Sequence, residues 1–597
     1  MQTSTQSPWH RIPAAIGRLL GLRSLERDYL ELAGIGDLDE FLHQTLERFQ
    51  IRPVPGGMEL GKVPRSGPLL VVSNHPFGAI EGIALAAVLR RVRPDLKVMA
   101  NRFLGSIPEL RPLFFLVDSF GGAAGHRQSQ VGLRGASQWL AEGHALLCFP
   151  AGAVSHLHAR ERVVRDPQWN EAPARLALRH SARVLPIWIE GRNSNLFQAA
   201  GVLAPALRTL LLPRELDRCR GQKLRIELGR CVETEELQSA RDARQATDFL
   251  RLRCEILRGR DANQPLHSVK EQQQGQPIAP PSDLLRMQRE VSALETEGAQ
   301  VFGNTAFQVF AAKAGSIPAL FHEITRLREI TFRAVGEGTR EALDRDRYDE
   351  HYTHLVLWDR ECRRVAGSYR LAATDEVLTQ QGIDGLYTSS LFQYRPEFFQ
   401  KLGPAWELGR SFVRQEYQRS FWPLLALWKG IAQLVLRDPR RARLFGAASM
   451  SAQYSPASRA LVTTWLREHR AAADFEGSVR ARTPPQASRH EARFRGKLTP
   501  SADPGLMVSE LEADGKGIPV LLREYLRIGA RVADLHVDMS FGNTLDALVL
   551  IDLLKSDARI LARYFEVEGV RELYRAHQRA CPLGQPTLSA PCSRASG

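Results

Sequence analysis

Leu69-Leu-Val-Val-Ser-Asn-His-Pro-Phe-Gly-Ala-Ile-Glu-Gly82 is the stretch on which the reading of this chain turns. Leu69 to Ser73 is short, apolar and bounded by turn residues, as a buried strand is, and a helical pattern resumes near Glu81. The end of such a strand is a common place for a reactive side chain. Pro76 keeps a helix from starting at the histidine, and Gly78 permits a close turn, so the spacing predicts that His75 and Glu81 converge across a short loop. A histidine oriented by a carboxylate is a general-base pair.

Further along, Leu96 to Ala100, Ala145 to Phe149 and Val184 to Ile189 read as strands. Helical patterns near Glu81 to Arg91 and Val131 to Glu142 lie between them, the rhythm of an α/β domain. From about Arg260 to Asp283 the composition shifts to Gln, Pro, Gly and Ser with little to bury, which predicts a linker. The expected organisation is a first domain over 1–260, a flexible linker over 261–285, a second domain over 286–580 and a tail over 581–597. In the second domain a helix near Ala319 to Ala334 precedes strands at His354 to Trp358, Val365 to Leu371 and Trp406 to Val413. Three strands in succession predict an antiparallel meander with helices packed on it. Trp9 to Arg23 and Phe421 to Arg437 are amphipathic; the second, with Trp422 and Trp428, reads as a core helix.

A length of 597 residues calls for at least two cores, and 44% hydrophobic with 24% charged residues is a globular balance. The net charge of +14 is spread through the chain and suits an acidic partner. Zinc-finger spacing, RRM-type aromatic motifs and basic-region heptads are all missing, so nucleic acid is not expected. That leaves an anionic membrane surface or an acidic carrier protein. The seven scattered cysteines, none in Cys-x-x-Cys spacing, fit a reducing compartment, and Cys148 reads as a buried strand residue, not a nucleophile. The apolar stretch around Ile12 to Leu22 is broken by Arg18 and lacks a cleavage site, so a signal peptide is not expected. No run reaches the roughly 18 apolar residues needed to span a bilayer, so membrane contact is expected to be peripheral, on the cytoplasmic side. His156 and His158 have no third ligand nearby in sequence, and no metal is expected. Gly56 to Lys62 fits a phosphate loop except that Val63 follows where Ser or Thr is needed.

The Asn74-His75 pair with a nearby acidic residue, Phe149-Pro-Ala-Gly152 and Val184-Leu-Pro-Ile187 together resemble the glycerolipid acyltransferase superfamily of the lysophosphatidic-acid acyltransferase type. The resemblance implies that His75 takes a proton from an acceptor hydroxyl attacking an acyl thioester, with Glu81 steadying the imidazole. It also implies that Asn74, Phe149, Pro150 and Gly152 contact substrate. Two departures are visible: Ile80 stands where the family has aspartate, with Glu81 one residue later, and Ala151 replaces a glutamate. These point away from a glycerol phosphate toward another lipid hydroxyl.

The second half resembles the ornithine-acyl-carrier-protein N-acyltransferases, which have a GNAT-like α/β fold. The resemblance rests on Arg328 with Phe332, Asp346 to Trp358, Glu407-Leu-Gly-Arg-Ser411 and Ile518 to Gly529. Glu407 and Arg410 are three apart on a strand and would face opposite sides unless a bulge at Gly409 re-aims one. The resemblance implies that Glu407 deprotonates the acceptor amine, and that Arg328, Phe332, Asp346, Asp349 and Arg410 organise acceptor and loops. Together the halves resemble a bifunctional ornithine-lipid synthase. In that reading one module N-acylates ornithine with a 3-hydroxyacyl chain from acyl carrier protein, and the other O-acylates the lyso-lipid at a membrane surface, with no cofactor. Glycine or another amino acid as acceptor, a glycerophospholipid acyltransferase, and a non-catalytic membrane-binding scaffold remain as alternatives.

Overall fold

A strand buried on both faces needs a neighbour on each edge and helices above and below. In the computed structural model, which describes residues 22–57, 60–117, 123–158, 162–258, 275–486, 489–512 and 514–580, Leu69–Ser73 has both. The chain forms two compact units, Met1–Gln264 with Phe494–Lys516 and Pro265–Arg493 with Gly517–Gly597.

The first unit contains β1 (Arg52–Gly57), β2 (Leu69–Ser73), α1 (Ile80–Leu89), β3 (Lys97–Asn101), β4 (Phe114–Val117), β5 (Ala145–Cys148), β6 (Arg183–Ile189), α2 (Asn195–Leu203), α3 (Pro205–Arg218) and β7 (Lys223–Leu228). Its sheet runs β1-β7-β6-β2-β5-β3-β4. All neighbours are parallel except β6 and β7. β2 is the central strand, pairing Leu69 to Ser73 with Arg183 to Ile187 on one edge and Leu69 to Val72 with Ala145 to Cys148 on the other. Its C-terminal end therefore presents His75 at the middle of the sheet's rim.

Two boundaries differ from the sequence expectation. Phe494–Lys516, expected in the second domain, belongs to the first unit. Apolar burial and polar bonds hold it there together: Phe494, Leu498, Met507 and Val508 are buried, Gln245 donates to the Leu498 carbonyl at 2.9 Å, and the buried Arg253 guanidinium lies 3.0 Å from the equally buried Glu510, which also accepts the Arg230 amide at 2.8 Å. Breaking such a buried pair typically costs about 3–5 kcal/mol. The expected linker is in part a docked segment. Its residues 261–274 lie outside the described residues, but Gln276 and Ala279 donate backbone N–H groups to Arg340 and Ala342, and Ser282 donates to Glu323. Composition registers the lack of apolar side chains and misses these main-chain bonds. The 581–597 tail and Trp9 to Gly21 likewise fall outside the described residues.

The second unit contains β8 (Gln300–Gly303), β9 (Phe307–Lys313), α4 (Pro318–Ala334), β10 (Thr353–Asp359), β11 (Arg364–Ala373), β12 (Ala405–Val413), α5 (Trp422–Arg437), β13 (Arg443–Met450), α6 (Val520–Ile528), β14 (Arg531–Asp538) and β15 (Thr544–Asp552). The order is β8-β9-β10-β11-β12-β13-β15-β14. β10, β11 and β12 form the expected antiparallel meander. α5 is a core helix, with Trp428 buried against Tyr525 and Tyr564, while Trp422 at its start is exposed.

β12 and β13 are the one parallel pair, and they separate. Ala405 to Leu408 pair with Arg443 to Gly446, and beyond that point the strands do not pair with each other. Gly446 sits at the fork, where a Cβ would lie 2.2 Å from the Leu408 carbonyl oxygen, so only glycine allows the strands to meet there before they diverge.

Candidate functional site

At the end of β2 the chain must turn while buried, so its polar groups need partners. Asn74 supplies them. Its side-chain amide donates to the Ile189 carbonyl at 2.9 Å and accepts the Ile189 amide at 2.7 Å, continuing the β2–β6 ladder with a side chain. Asn74, expected from sequence to contact substrate, is buried, and both ends of its side-chain amide are engaged with Ile189, which positions the next residue.

His75 follows, its side chain 16% exposed, with Nδ1 3.0 Å from Glu81 Oε1. The same oxygen accepts the Phe77 and Gly78 amides at 2.9 and 2.7 Å, so Glu81 closes the loop as it orients the ring. Gly78 has φ +119°, and a Cβ would come within 2.9 Å of Leu212. The shift of the acidic residue to Glu81 is thus accommodated by the loop. With Nδ1 turned to Glu81, Nε2 is the atom left for a substrate. Burial works against the imidazolium, but the Glu81 charge and hydrogen bond, with Asp166 beyond, prevail and raise the His75 pKa. Burial likewise opposes the Glu81 carboxylate, yet His75 and the loop amide bring its pKa below the ordinary value.

Phe149 lies against the imidazole, ring centroids 4.6 Å apart. Phe149-Pro150-Ala151-Gly152 is a turn closed by the Gly152 amide on the Phe149 carbonyl at 3.0 Å, with Gly152 at φ +61°. Sequence reading missed Asp166, whose carboxylate accepts the His75 amide and the Trp169 indole N–H and bonds Ser155, tying the loop beyond Gly152 to the histidine. Nothing in the local pattern around Asp166 marks it. Cys148 is buried, and burial drives its thiol pKa far up, so it is no nucleophile.

In the second unit a cavity of about 560 Å³ lies along the diverging halves of β12 and β13. Its walls include Phe332, Glu337, Arg410, Ser449, Asp538 and Asp546. The expected bulge is present one residue later than Gly409. Ser368 pairs with Phe412 and Arg370 with Gly409, so Tyr369 faces both Arg410 and Ser411. Arg410 takes φ +48°, which turns its guanidinium into the cavity, over Phe541 and Tyr387 at 4.5 and 5.1 Å from their ring centroids.

Glu407 does not line this cavity. It is buried, one oxygen accepting the Thr388 amide at 2.7 Å and the other the Tyr352 hydroxyl, which itself accepts the Tyr387 amide at 2.7 Å. Burial raises its pKa against the lowering effect of these bonds. Glu407, expected from sequence to act as a base, thereby holds the 387–388 segment that frames Arg410 and lies off the cavity wall.

Arg328, Asp346 and Asp349 form a layer behind the wall. Arg328 bonds Asp349 and Asp344 at 2.9 and 3.3 Å, while Arg370 bonds Asp346 and Asp349 at 2.6 and 2.9 Å. Arg410 reaches Asp344 and Asp346 at 3.6 Å. Alternating guanidinium and carboxylate groups hold Arg410 in place, and Arg328, Asp346 and Asp349 themselves do not line the cavity. Arg370 was missed, though a charge inside the apolar run Val365 to Ala373 was its signal.

The carboxylates that do face the cavity were also missed. Asp546, on β15, accepts the hydroxyl of its cross-strand neighbour Ser449 at 2.7 Å, on the half of β13 that no longer pairs with β12. Burial, then the charges of Asp538 and Glu337, push its pKa up to about 7, against Ser449 and Arg410. Burial lifts Glu337 to about 7 as well, with Arg410 opposing. A carboxyl titrating near neutrality beside an open cleft is suited to accept a proton from an amine. Among the described residues no group of three or more His, Cys, Asp or Glu is placed to hold a metal ion, and no helix is long and apolar enough to cross a membrane.

Residues 25–262 match the acyltransferase family, and residues 327–429 match the acetyltransferase (GNAT) domain. Over 271 residues the chain is 31% identical to a glycine N(alpha)-acyltransferase of Bacteroides thetaiotaomicron, covering 42% of this chain and 80% of that protein. It is 23% identical to a lyso-glycine lipid O-acyltransferase of Phocaeicola vulgatus, over 36% of this chain and 75% of that one. An L-ornithine N(alpha)-acyltransferase of Brucella abortus is 27% identical, over 46% of this chain and 97% of its own length.

Proposed function

Since the chain belongs to the amino-acid N(alpha)-acyltransferase family with a GNAT domain, here joined to an acyltransferase domain, we propose that it makes a two-chain ornithine lipid in two acyl transfers. The observation that carries this reading is Asp546, a carboxyl titrating near neutrality on the wall of a cleft between diverging strands. Unpaired main-chain groups of β12 and β13 suit the amide-bearing arm of an acyl thioester. The amine of the acceptor loses a proton to Asp546 and attacks the thioester carbonyl. A C–N bond forms, the C–S bond breaks, the second proton leaving the attacking nitrogen goes to the thiolate, and Asp546 gives up the first to solvent.

Ornithine carries two ammonium groups and one carboxylate. Glu337, Asp538 and Asp546 on the wall match the former, and Arg410 matches the latter. Glycine is the second reading, favoured by the 31% identity to a glycine enzyme. If the transferred chain bears a 3-hydroxyl, the amide product supplies the nucleophile for the first unit. There His75 Nε2 takes the hydroxyl proton, an ester bond forms with a second acyl group, and the imidazolium returns the proton to the departing thiolate. Acyl carrier protein as donor fits the net charge of +14, because carrier proteins are acidic as a class. Work at the inner face of the cell membrane fits the lipid acceptor.

Purified protein given 3-hydroxyacyl and acyl carrier protein thioesters with equal ornithine and glycine, followed by mass spectrometry, tests the reading. Ornithine lipid in excess is the expected product. Predominant glycine lipid would replace the acceptor assignment, and no acylated amino acid at all would end the proposal.

A further inference from the structure

The hairpin of α2 and α3 follows β6 directly and has two unlike sides. Its inner side meets the His75 loop, where Leu212 packs at Gly78 and Asn193, just before α2, donates to the Phe77 carbonyl at 3.3 Å; Ser194 ties the two helices by donating its amide and hydroxyl to Glu215 at 2.7 and 2.6 Å, and Gln198 accepts the Leu157 amide at 2.8 Å. Its outer side carries Leu196, Val202, Leu203, Leu207 and Leu210, between 39% and 83% exposed, with Leu203 the most exposed at the hairpin tip. Single exposed leucines need no explanation, but five large apolar side chains within fifteen residues form a patch of the kind that marks an interaction surface.

What covers the patch is argued by the charges beside it. Arg192 and Arg218 are exposed and Arg208 and Arg214 partly so. The two acidic residues of the hairpin are engaged elsewhere, Glu215 with Ser194 and Asp217 with Arg220 and Ser24. The hairpin and the segment just before it therefore bring four arginines with the leucines and no free carboxylate from its own helices. A second copy of this chain, itself at +14, would bring like charge to it. We propose that the Leu196–Leu210 face is the surface by which the first unit docks on an anionic phospholipid bilayer, its leucines below the phosphates and its arginines among them. Because the same hairpin holds the His75 loop, docking sets the imidazole at the interface, where a lyso-lipid hydroxyl arrives without leaving the bilayer. The inference rests on the proposed lipid acceptor for this consequence alone.

The test uses the full chain with phosphatidylcholine vesicles containing phosphatidylglycerol and with phosphatidylcholine vesicles alone. The double variant Leu203→Asp/Leu210→Asp is compared with Leu284→Asp/Leu285→Asp, which alters exposed leucines of the second unit. Wild-type protein and the control should float with the anionic vesicles and much less with the neutral ones. The Leu203/Leu210 variant, unfolding at the wild-type temperature, should bind at least tenfold more weakly. Its O-acylation of vesicle-borne lyso-lipid should fall in step, and the deficit should disappear with a short-chain acceptor in solution. Unchanged flotation of the variant overturns the assignment, as does a wild-type dimer in vesicle-free solution that the variant dissociates. Normal vesicle binding without any O-acylation by the wild type would overturn the proposed reaction and leave the docking surface standing.

Discussion

Each unit places carboxylates near its candidate chemistry and treats them differently. In the first unit one oxygen of Glu81 gathers His75 and two loop amides while the other is buried without a partner, and its pKa is held low. It stays charged, orients a ring and leaves proton transfer to the imidazole. In the second unit both oxygens of Glu407 are bonded, by Tyr352 and Thr388, while Asp546 is buried with fewer bonds among like charges and is raised to about 7. Burial raises both Glu407 and Asp546, so what separates them is access: Asp546 lines the open cavity, whereas Glu407 lies off it with both oxygens hydrogen-bonded. The acceptors differ accordingly. An ammonium group must shed a proton before it can attack, whereas a hydroxyl is relieved of its proton as it attacks.

The comparison breaks most sharply in the products of two variants. His75→Ala should lower ester formation by about 10²–10⁴-fold and let the one-chain lipid accumulate, with amide formation unchanged. Asp546→Asn should lower amide formation about 10²-fold or more and deplete both lipids. Supplying lyso-lipid to the Asp546 variant should restore the two-chain product. If His75→Ala still makes the complete lipid, the assignment of roles to the units is wrong.

Titration sharpens the contrast at a smaller scale. A base works only when unprotonated, so amide formation should rise with pH through about 7 as Asp546 ionises. The acceptor's own amine adds a further rise at higher pH. Ester formation should rise at a pH above the ordinary histidine value of 6.5, because Glu81 raises His75. Glu81→Gln should move that rise to lower pH and slow the step about tenfold. Stopped assays of each step across pH 5 to 9 check both signs, and coincident profiles for the two steps would remove the distinction.

Glu407→Gln belongs between base and scaffold. As a positioning residue it should cost amide formation about tenfold, act chiefly on acceptor KM through Arg410, and leave the pH inflection near 7 in place. A shifted or vanished inflection would return the base role to Glu407.

Much of the fold was legible because period and length report burial, and β2, β5, β6 and the meander lie close to where apolar runs placed them. The His75–Glu81 pair was legible because the loop is local. What sequence did not disclose is non-local. Asp546 lies 136 positions after Arg410 yet faces the same cavity, and Phe494–Lys516 joins the first unit through a buried ion pair, main-chain hydrogen bonds and buried apolar side chains that only the fold brings together. The bulge was foreseen at Gly409 and falls on Arg410, since the residue that must be re-aimed takes the left-handed conformation itself. Glu407 and Asn74 were named as members of the motifs that carry the resemblance, and motif membership does not disclose the hydrogen bonds by which each holds its neighbours.

Asn74 offers the mildest test of such positioning. Replacing it with Ala leaves the Ile189 amide and carbonyl without their partners in a buried place, a loss of about 1–3 kcal/mol. The histidine remains, tethered through its own amide to Asp166 and through its ring to Glu81. Ester formation should therefore fall several-fold through kcat, with the pH rise unmoved because the charges around the imidazole are unchanged. Amide formation should be unaffected. Asn74→Asp keeps an acceptor for the Ile189 amide but sets a carboxylate against the Ile189 carbonyl, so it should be less stable than wild type and no better than Ala. A rise in lyso-lipid KM with kcat and the unfolding temperature intact would show instead that Asn74 meets the substrate.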